Sequence, residues 1–376
     1  MENRGCGIIC EYNPFHKGHA YQLSKAKEIC EFTVCAMSGD FVQRGEEAFQ
    51  DKKVRAKNAM TNGADIVLEI PFPYSSFGAE GFARKGVEIL SASGLCSHLL
   101  FGSECDNVNV LTDIANCMSD ASFYGKVLEV QKKEKSLSFA RARQALIEKT
   151  MGADYASVLD NPNDILGVEY IKSIKALGSK LIPVTLKRST PRGGFDDTFA
   201  SSSYIRGALS ADERDEFALS RLPENYDFGG IYKGKDEFFR SVHLAMMMKK
   251  PQELENVLEV PQGYGYVIVK AAHGTKDFDE LCSAVSGKTM TVSKAKRMLL
   301  FAFFGIEKNV YHEKAAYSFV LALSKLGSGM LKKYREESKI ILASRAKDIK
   351  DSEEAQRQFD RSLLAGKVLE KCGISL

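Results

Sequence analysis

Short apolar runs alternate with helical patterns through the first half of this 376-residue chain. The runs occupy residues 7–10, 32–37, 65–70, 98–101 and 181–186. They are nearly continuous in hydrophobicity, as strands buried on both faces must be. Between them, apolar positions recur with a period of about 3.6 residues, predicting helices over 20–29, 52–61, 79–91, 108–118 and 164–177. Two further helices are expected between 123 and 150. This alternation predicts an α/β fold, a doubly wound parallel sheet whose ligands lie at the carboxyl ends of the strands. After residue 209 the strand signal fades. Residues 214–219, 235–249, 251–257, 278–286, 292–304 and the segments after 315 carry mostly helical spacing, punctuated by Gly229-Gly230 and Pro261-Gln262-Gly263.

Composition narrows the class. With 44% hydrophobic and 27% charged residues the chain is ordinary globular protein, neither disordered nor fibrous. Its longest clean apolar run, 298–306, is about half the length a membrane-spanning helix needs, and the amino terminus turns polar too early for a signal peptide. The nine cysteines lack paired CxxC spacing and stand far from the six histidines, so they read as reduced thiols of a cytoplasmic protein rather than a metal site. The net charge of +3 hides an asymmetry. From Lys288 to Lys347 thirteen Lys and Arg face four Asp and Glu, +9 locally, so the remainder carries −6. A basic section on a mildly acidic body suits a nucleic-acid partner; solvated helix faces are the plain alternative.

Chemistry concentrates directly after the first strand, in Glu11-Tyr12-Asn13-Pro14-Phe15-His16-Lys17-Gly18-His19. Pro14 fixes a turn, and Gly18 lets backbone approach a ligand where a helix begins. Free N–H groups and the positive end of the helix dipole make such a start an anion site. Two imidazoles there can donate hydrogen bonds to phosphate oxygens as charge develops. A zinc pair would want a third ligand and no intervening glycine.

His16-Lys17-Gly18-His19 resembles the motif of the HIGH-type nucleotidyltransferase superfamily. The segment Ala200-Ser201-Ser202-Ser203-Tyr204-Ile205-Arg206, after the fifth strand, is similar to the Ser-Ser-Thr-x-Ile-Arg of those enzymes. Hydroxyls capping a helix, with Arg206 one turn on, suit triphosphate oxygens. Met37-Ser38-Gly39-Asp40-Phe41-Val42-Gln43-Arg44-Gly45-Glu46, then Lys52 and Arg55, Leu68-Glu69-Ile70-Pro71, Phe101-Gly102-Ser103-Glu104 and Asn163-Asp164-Ile165-Leu166-Gly167 narrow the match. Over essentially the whole chain these resemble the bacterial tRNA(Met) cytidine acetate ligase family. Two departures are Glu47, where the family usually has proline, and Asp164, where it has a second asparagine.

The resemblance implies an ATP-binding catalytic domain over 1–210 and a helical, basic tRNA-binding domain over 211–376. It implies cytoplasmic ATP-dependent activation of acetate as acetyl-AMP, then acetylation of N4 of the wobble cytidine of elongator tRNA(Met), with Mg²⁺ as the companion of ATP. The implied nucleotide positions are Ile9, Cys10, Glu11, Tyr12, Asn13, Pro14, Phe15, His16, Lys17, Gly18, His19, Ala20, Tyr21 and Gln22, followed by Gly102, Asn163, Arg188, Ser202 and Arg206. His16, His19, Lys52 and Arg188 are the expected catalytic residues. Gln43, Arg44 and Lys52 are expected to line the acetate or RNA side, an Arg44–Glu46 ion pair being the alternative. Residues 289–298 open an amphipathic helix whose position matches a basic segment of the family. Lys294, Arg297, Lys332, Lys333, Arg335 and Lys339 are the candidate tRNA phosphate contacts. The other readings left open are a small-molecule adenylyl- or cytidylyltransferase and an RNA-binding protein with a vestigial nucleotide fold.

Overall fold

In the computed structural model, which describes residues 4–188, 199–210, 215–232, 234–288 and 290–372, the apolar runs line up as neighbours in one sheet. Chain order gives β1 (Gly5–Cys10), α1 (Lys17–Ile29), β2 (Thr33–Ser38), the hairpin strands β3 (Phe41–Val42) and β4 (Glu46–Glu47), α2 (Lys52–Thr61), β5 (Ile66–Ile70), α3 (Ala79–Ala92) and β6 (Cys96–Ser103). Helices α4 (Val108–Met118), α5 (Phe123–Lys133), α6 (Phe139–Met151), α7 (Ala153–Val158) and α8 (Pro162–Ala176) precede β7 (Ile182–Lys187). Then follow α9 (Ser202–Ser210), α10 (Glu216–Ser220), α11 (Lys235–Met248), α12 (Tyr264–Gly274), α13 (Phe278–Val285) and α14 (Val292–Phe304). The chain ends through β8 (Tyr317–Leu323), α15 (Lys325–Tyr334), β9 (Ile341–Ala343) and α16 (Glu353–Lys371).

The main sheet has seven strands in the order β7-β6-β1-β2-β5-β8-β9. From β7 to β5 every pair is parallel. In register, Ile8 lies beside Cys35 and Cys35 beside Val67, and this row packs under α1 and α2 against Leu23, Ala26, Ala56 and Ala59. The next residues along, Ile9, Ala36 and Leu68, face the other way onto Val87 and Leu90 of α3. Period-two alternation therefore buries both faces, each large aliphatic side chain contributing roughly 1.5–3 kcal/mol. No cross-link is needed, and all nine cysteines are free.

The second half departs from its helical expectation after residue 315. Tyr317–Leu323 is a strand, antiparallel to β5 with Val67 opposite Ala322, and β9 pairs parallel beyond it. The run Tyr-Ser-Phe-Val-Leu-Ala-Leu is apolar at nearly every position, and such a run has no periodicity to separate a strand from a buried helix. The sheet thus draws two strands from beyond residue 211. Helix α12 is also additional: Gly263, at φ 76°, is the N-cap residue of a helix instead of a simple break. Residues 251–257 shorten to a 3₁₀ turn over Pro251–Leu254, while α11, α13 and α14 match their patterns. Arg214, the expected start of one helix, and Thr289, the first residue of the expected basic segment, lie outside the described residues. Among the described residues no helix is long and apolar enough to cross a membrane.

Candidate active site

At the carboxyl edge the loop after β1 turns back into α1. Tyr12 sits at φ 46°, a left-handed conformation that a bulky residue adopts only when its surroundings impose it. Its ring is buried, packed on Phe15 at 5.0 Å and His19 at 4.8 Å between centroids, with the hydroxyl 3.4 Å from Cys35 Sγ. His16 is the N-cap of α1. Its Nδ1 accepts Gly18 N–H at 3.1 Å, and His19 Nδ1 accepts the N–H of His16 at 3.3 Å. With both Nδ1 atoms acting as acceptors, the neutral rings carry their protons on Nε2. The two rings stack at 3.7 Å. Burial, reinforced by Arg188, lowers the pKa of His16 to about 3. Burial, then His16 and Arg188, holds His19 well below the ordinary histidine value. The pair is therefore two neutral N–H donors at a helix start, not two cations. Gly18 has a reason beyond ligand approach: a Cβ there would stand 2.9 Å from His16 Cε1, so glycine lets the capping ring fold over the turn.

His19 opens onto a cleft enclosing about 300 Å³, and both rings border a smaller space of about 70 Å³ that adjoins it at His19, Gln22, Gly102 and Arg188. One wall is the β1 loop (Ile9, Cys10, Glu11, Tyr12, Asn13, His19 and Gln22), while His16, Gly18 and Tyr21 face the smaller space. The opposite wall is the end of β6 and the start of α8, including Phe101, Gly102, Glu104, Asn163, Leu166 and Tyr170. Arg188, after β7, lies across Gly102, where a Cβ would meet Arg188 Cδ at 2.7 Å. Ser201 caps α9 by accepting Tyr204 N–H at 3.2 Å, and Ser202 and Arg206 line the cleft. The Arg206 guanidinium donates to the Asn13 carbonyl and to Ser203 Oγ, fixing α9 to the loop. Three guanidinium groups, from Arg44, Arg188 and Arg206, thus share the cleft with two carboxylates, Glu11 and Glu104.

The third wall is the β3–β4 hairpin. Glu11 accepts the N–H of Gln43 at 2.9 Å, and Asn13 Oδ1 accepts that of Phe49 at 2.6 Å, so the loop and the hairpin are tied together at two points. Below them the buried Arg55 donates to the carbonyls of Glu11, Ser38, Gly39 and Gln50. It gathers the ends of β1 and β2 with charge-assisted bonds. The Arg44–Glu46 pair does not form: Glu46 takes Lys296 at 2.6 Å, leaving Arg44 exposed at the cleft mouth without an ion-pair partner among the described residues. Glu47 is buried on β4, and burial pushes its carboxyl up to about 7.

Residues 3–373 match the model of the HIGH Nucleotidyl Transferase family. The tRNA(Met) cytidine acetate ligases of Thermoanaerobacter sp. (strain X514) and Caldanaerobacter subterraneus subsp. tengcongensis are 31% and 32% identical to the chain, each covering 96% of it and 93% of the relative. The chain belongs to the tRNA(Met) cytidine acetate ligase family. Its fold follows that of Thermotoga maritima TmcAL, crystallised with alpha-thio ATP, at a TM-score of 0.89 and 27% identity over 99% of this chain and 95% of the other.

For this member of the family, the structure sorts the expected residues. Pro14, Phe15, Lys17 and Ala20 belong to the loop and first turn but line neither space. Lys52 is set back from the cleft: its Nζ bridges Asp40 at 3.0 Å and Glu69 at 2.8 Å. Burial alone would lower its pKa, but the two carboxylates outweigh it and keep the ammonium charged. Asp164 does not enter the cleft either. Fully buried, it accepts from Ser103 Oγ, the N–H groups of Glu104 and Cys105, and Asn161 Nδ2. Arg297 packs its backbone on Gly45 of the hairpin and pairs its guanidinium with Glu259, and Lys294 lies one turn earlier on α14; neither lines the cleft.

Lys332, Lys333, Arg335 and Lys339 are elsewhere. α15 starts against Asp65, at the amino end of β5, and the stretch after it pairs Glu337 with Arg4 and Lys339 N–H with Ala92. All four therefore lie at the amino edge of the sheet, opposite the cleft. Phe82, Glu104, Leu166 and Tyr170 are lining residues that sequence reasoning did not single out as site residues. The aromatic and aliphatic members repeat at helical spacing, which marks core as readily as cleft; Glu104 stood inside a family word without an assigned role. Among the described residues no group of three or more His, Cys, Asp or Glu converges as a metal site.

Proposed function

We propose that the chain is an ATP-dependent acetate ligase that acetylates N4 of the wobble cytidine of elongator tRNA(Met). The observation that carries it is the stacked, neutral His16–His19 pair at the start of α1: both rings border a small space with Arg188, and His19 also lines the cleft shared by Arg44, Arg188 and Arg206. This arrangement suits charge developing on phosphate without offering a protein nucleophile. A carboxylate oxygen of acetate attacks the α-phosphorus of ATP; pyrophosphate leaves and acetyl-adenylate forms. The cytidine N4 then attacks the acyl carbon, AMP departs and N4 loses a proton. Each step needs positioning and charge neutralisation, both of which a fixed set of donors supplies. His16, His19, Arg188 and Arg206 take the phosphates, with Ser202 at the start of α9. Mg²⁺ brought in with ATP would be held chiefly by phosphate oxygens, with Glu11 and Glu104 the carboxylates that line the cleft, and it would supply neutralisation of phosphate charge.

The relatives' names and the ATP analogue in the Thermotoga maritima structure support this reading. On it, the RNA approaches over the hairpin and α14, meeting Gln43, Arg44 and Lys294 first. Arg297 and Lys296, tied to Glu259 and Glu46, shape that approach. Lys332, Lys333, Arg335 and Lys339 touch only RNA that wraps to the far edge. The test is incubation with ATP, labelled acetate and elongator tRNA(Met), followed by nucleoside analysis. Label in N4-acetylcytidine is expected. Unlabelled RNA accompanied by an adenylated small metabolite would replace this reading with a small-molecule nucleotidyltransferase.

A further inference from the structure

On the carboxyl edge of β6, Glu104 and Asn163 form a contact that fixes which way an amide faces. Asn163 Nδ2 donates to Glu104 Oε1 at 2.5 Å, and the N–H of Asp164 donates to Glu104 Oε2 at 3.2 Å. In return Glu104 N–H donates to Asp164 Oδ1 at 2.9 Å. An ionised carboxylate only accepts, so Asn163 must present its NH₂ to Glu104 and keep its carbonyl on the other side. Both residues line the cleft, and so do Leu166 and Tyr170, which follow Asn163 by three and seven positions on the same face of α8. Tyr170 also packs on Phe101 at 5.5 Å. An apolar wall with one fixed acceptor at its rim suits a flat base that carries a hydrogen-bond donor.

We propose that Glu104 is a positioning residue: it locks the Asn163 amide with its carbonyl toward the nucleotide, so that the site accepts a hydrogen bond from a nucleoside donor. The donor that suits the wall is the 6-amino group of adenine; a ribose hydroxyl is the other source of the same chemistry. This rests on the ATP reading above but adds a mechanism of selectivity. A purine with a carbonyl at position 6 would place acceptor against acceptor, and an unmatched buried pair is rejected more strongly than a merely absent hydrogen bond.

Glu104→Gln tests it, because glutamine cannot accept from both neighbours with one oxygen. The backbone N–H of Asp164 is fixed in its helix and keeps the oxygen. The new NH₂ then faces Asn163, which must turn its carbonyl inward and its NH₂ toward the nucleotide. Dissociation constants of the wild type and Glu104→Gln are measured for ATP, inosine triphosphate, 2′-deoxy-ATP and 3′-deoxy-ATP, with circular dichroism confirming the fold. The wild-type preference for ATP over inosine triphosphate should fall by about tenfold, the worth of one hydrogen bond, or invert. If the ribose is the donor, the ratio for one deoxy analogue falls instead. In an Asn163→Ala background, Glu104→Gln should leave every ratio unchanged. The proposal is overturned if Glu104→Gln weakens all four nucleotides equally, as a purely structural role would, or leaves all ratios as they were. A wild type that binds none of them would sink the ATP reading itself, a separate result.

Discussion

The neutral histidine pair makes the protein's stability depend on pH in a direction that can be calculated. His16 titrates near 6.5 when unfolded and at about 3 when folded. Between those values the unfolded chain binds a proton that the native chain refuses, so stability falls as the pH drops through that window. One pKa unit is about 1.4 kcal/mol, so His16 alone removes about 2 kcal/mol on going from pH 7.5 to 5, approaching about 5 kcal/mol near pH 3. His19 contributes with the same sign. Against a total of roughly 5–15 kcal/mol this is large. The clean perturbation is His16→Asn, since asparagine is a strong N-cap and can still accept the Gly18 N–H without titrating. Urea unfolding of both proteins at pH 7.5 and 5.0 isolates the effect: carboxylate contributions and any constant packing loss cancel in the difference. The wild type should lose about 2 kcal/mol more than the variant over that interval. Equal losses would mean that folding leaves the protonation of His16 unchanged, so that the ring would not stay neutral below about pH 6.5. The same neutrality predicts that ATP affinity does not strengthen as the pH falls through 6.5.

Three further outcomes follow from named residues. His19→Ala should lower acetate-dependent pyrophosphate release by about 10²-fold or more, the usual cost of removing a transition-state donor, while tRNA retention on filters stays close to wild type. Equal loss of both would make the ring structural. Arg44→Ala with Lys294→Ala should flatten the log–log salt dependence of tRNA binding by about 0.7–0.9 for each phosphate no longer neutralised, and by more than Lys332→Ala with Lys333→Ala does; the reverse ranking would move the RNA to the amino edge. Asp164→Asn, which restores the residue usual in the family, should destabilise this chain by about 1–3 kcal/mol in denaturant unfolding, because an NH₂ would face the donors now satisfied by a carboxylate.

Local signals carried most of the first half of the chain. Pro14, Gly18 and the two histidines report a turn and a helix start through their own chemistry, and the structure adds that His16 is the cap of that helix. The five parallel strands were legible because burial on both faces leaves an uninterrupted apolar run. The same property hid β8, whose Tyr317–Leu323 run fits a buried helix equally well. What sequence could not carry was direction in space. The basic count from Lys288 to Lys347 treats Lys294 and Lys332 alike, yet β8 runs antiparallel and delivers α15 to the opposite edge. Partner choice was equally hidden: Glu46 had Arg44 two positions away and took Lys296, 250 residues on. Asp164 stood out only as a departure from the family's second asparagine; the donors of Ser103, Glu104 and Cys105 gathered on it show why a carboxylate suits it.

The cleft's position gives one short loop two differently lined sides. β1 lies where the strand order turns, with β2 and β5 on one side and β6 and β7 on the other. A crevice opens at such a switch because the connections leave β1 and its neighbour in opposite directions. Residues from β6, α8 and β7 reach it from one side, offering apolar faces, the Asn163 amide and Arg188. Those from the β3–β4 hairpin reach it from the other, offering Gln43 and Arg44, with α14 and its Lys294 packed beside the hairpin. The His16–His19 pair stands between them, on the loop common to both. On the proposed function, a nucleotide held on the first side would direct its α-phosphate toward the second, leaving that side for a carboxylate and then an RNA base. The division predicts a separable phenotype: changes at Glu104 or Asn163 should alter which nucleotide binds while sparing RNA affinity, and changes at Arg44 or Lys294 should do the opposite. Direct binding measurements that found both affinities abolished together from either side would show a single undivided surface and contradict the two-sided crevice.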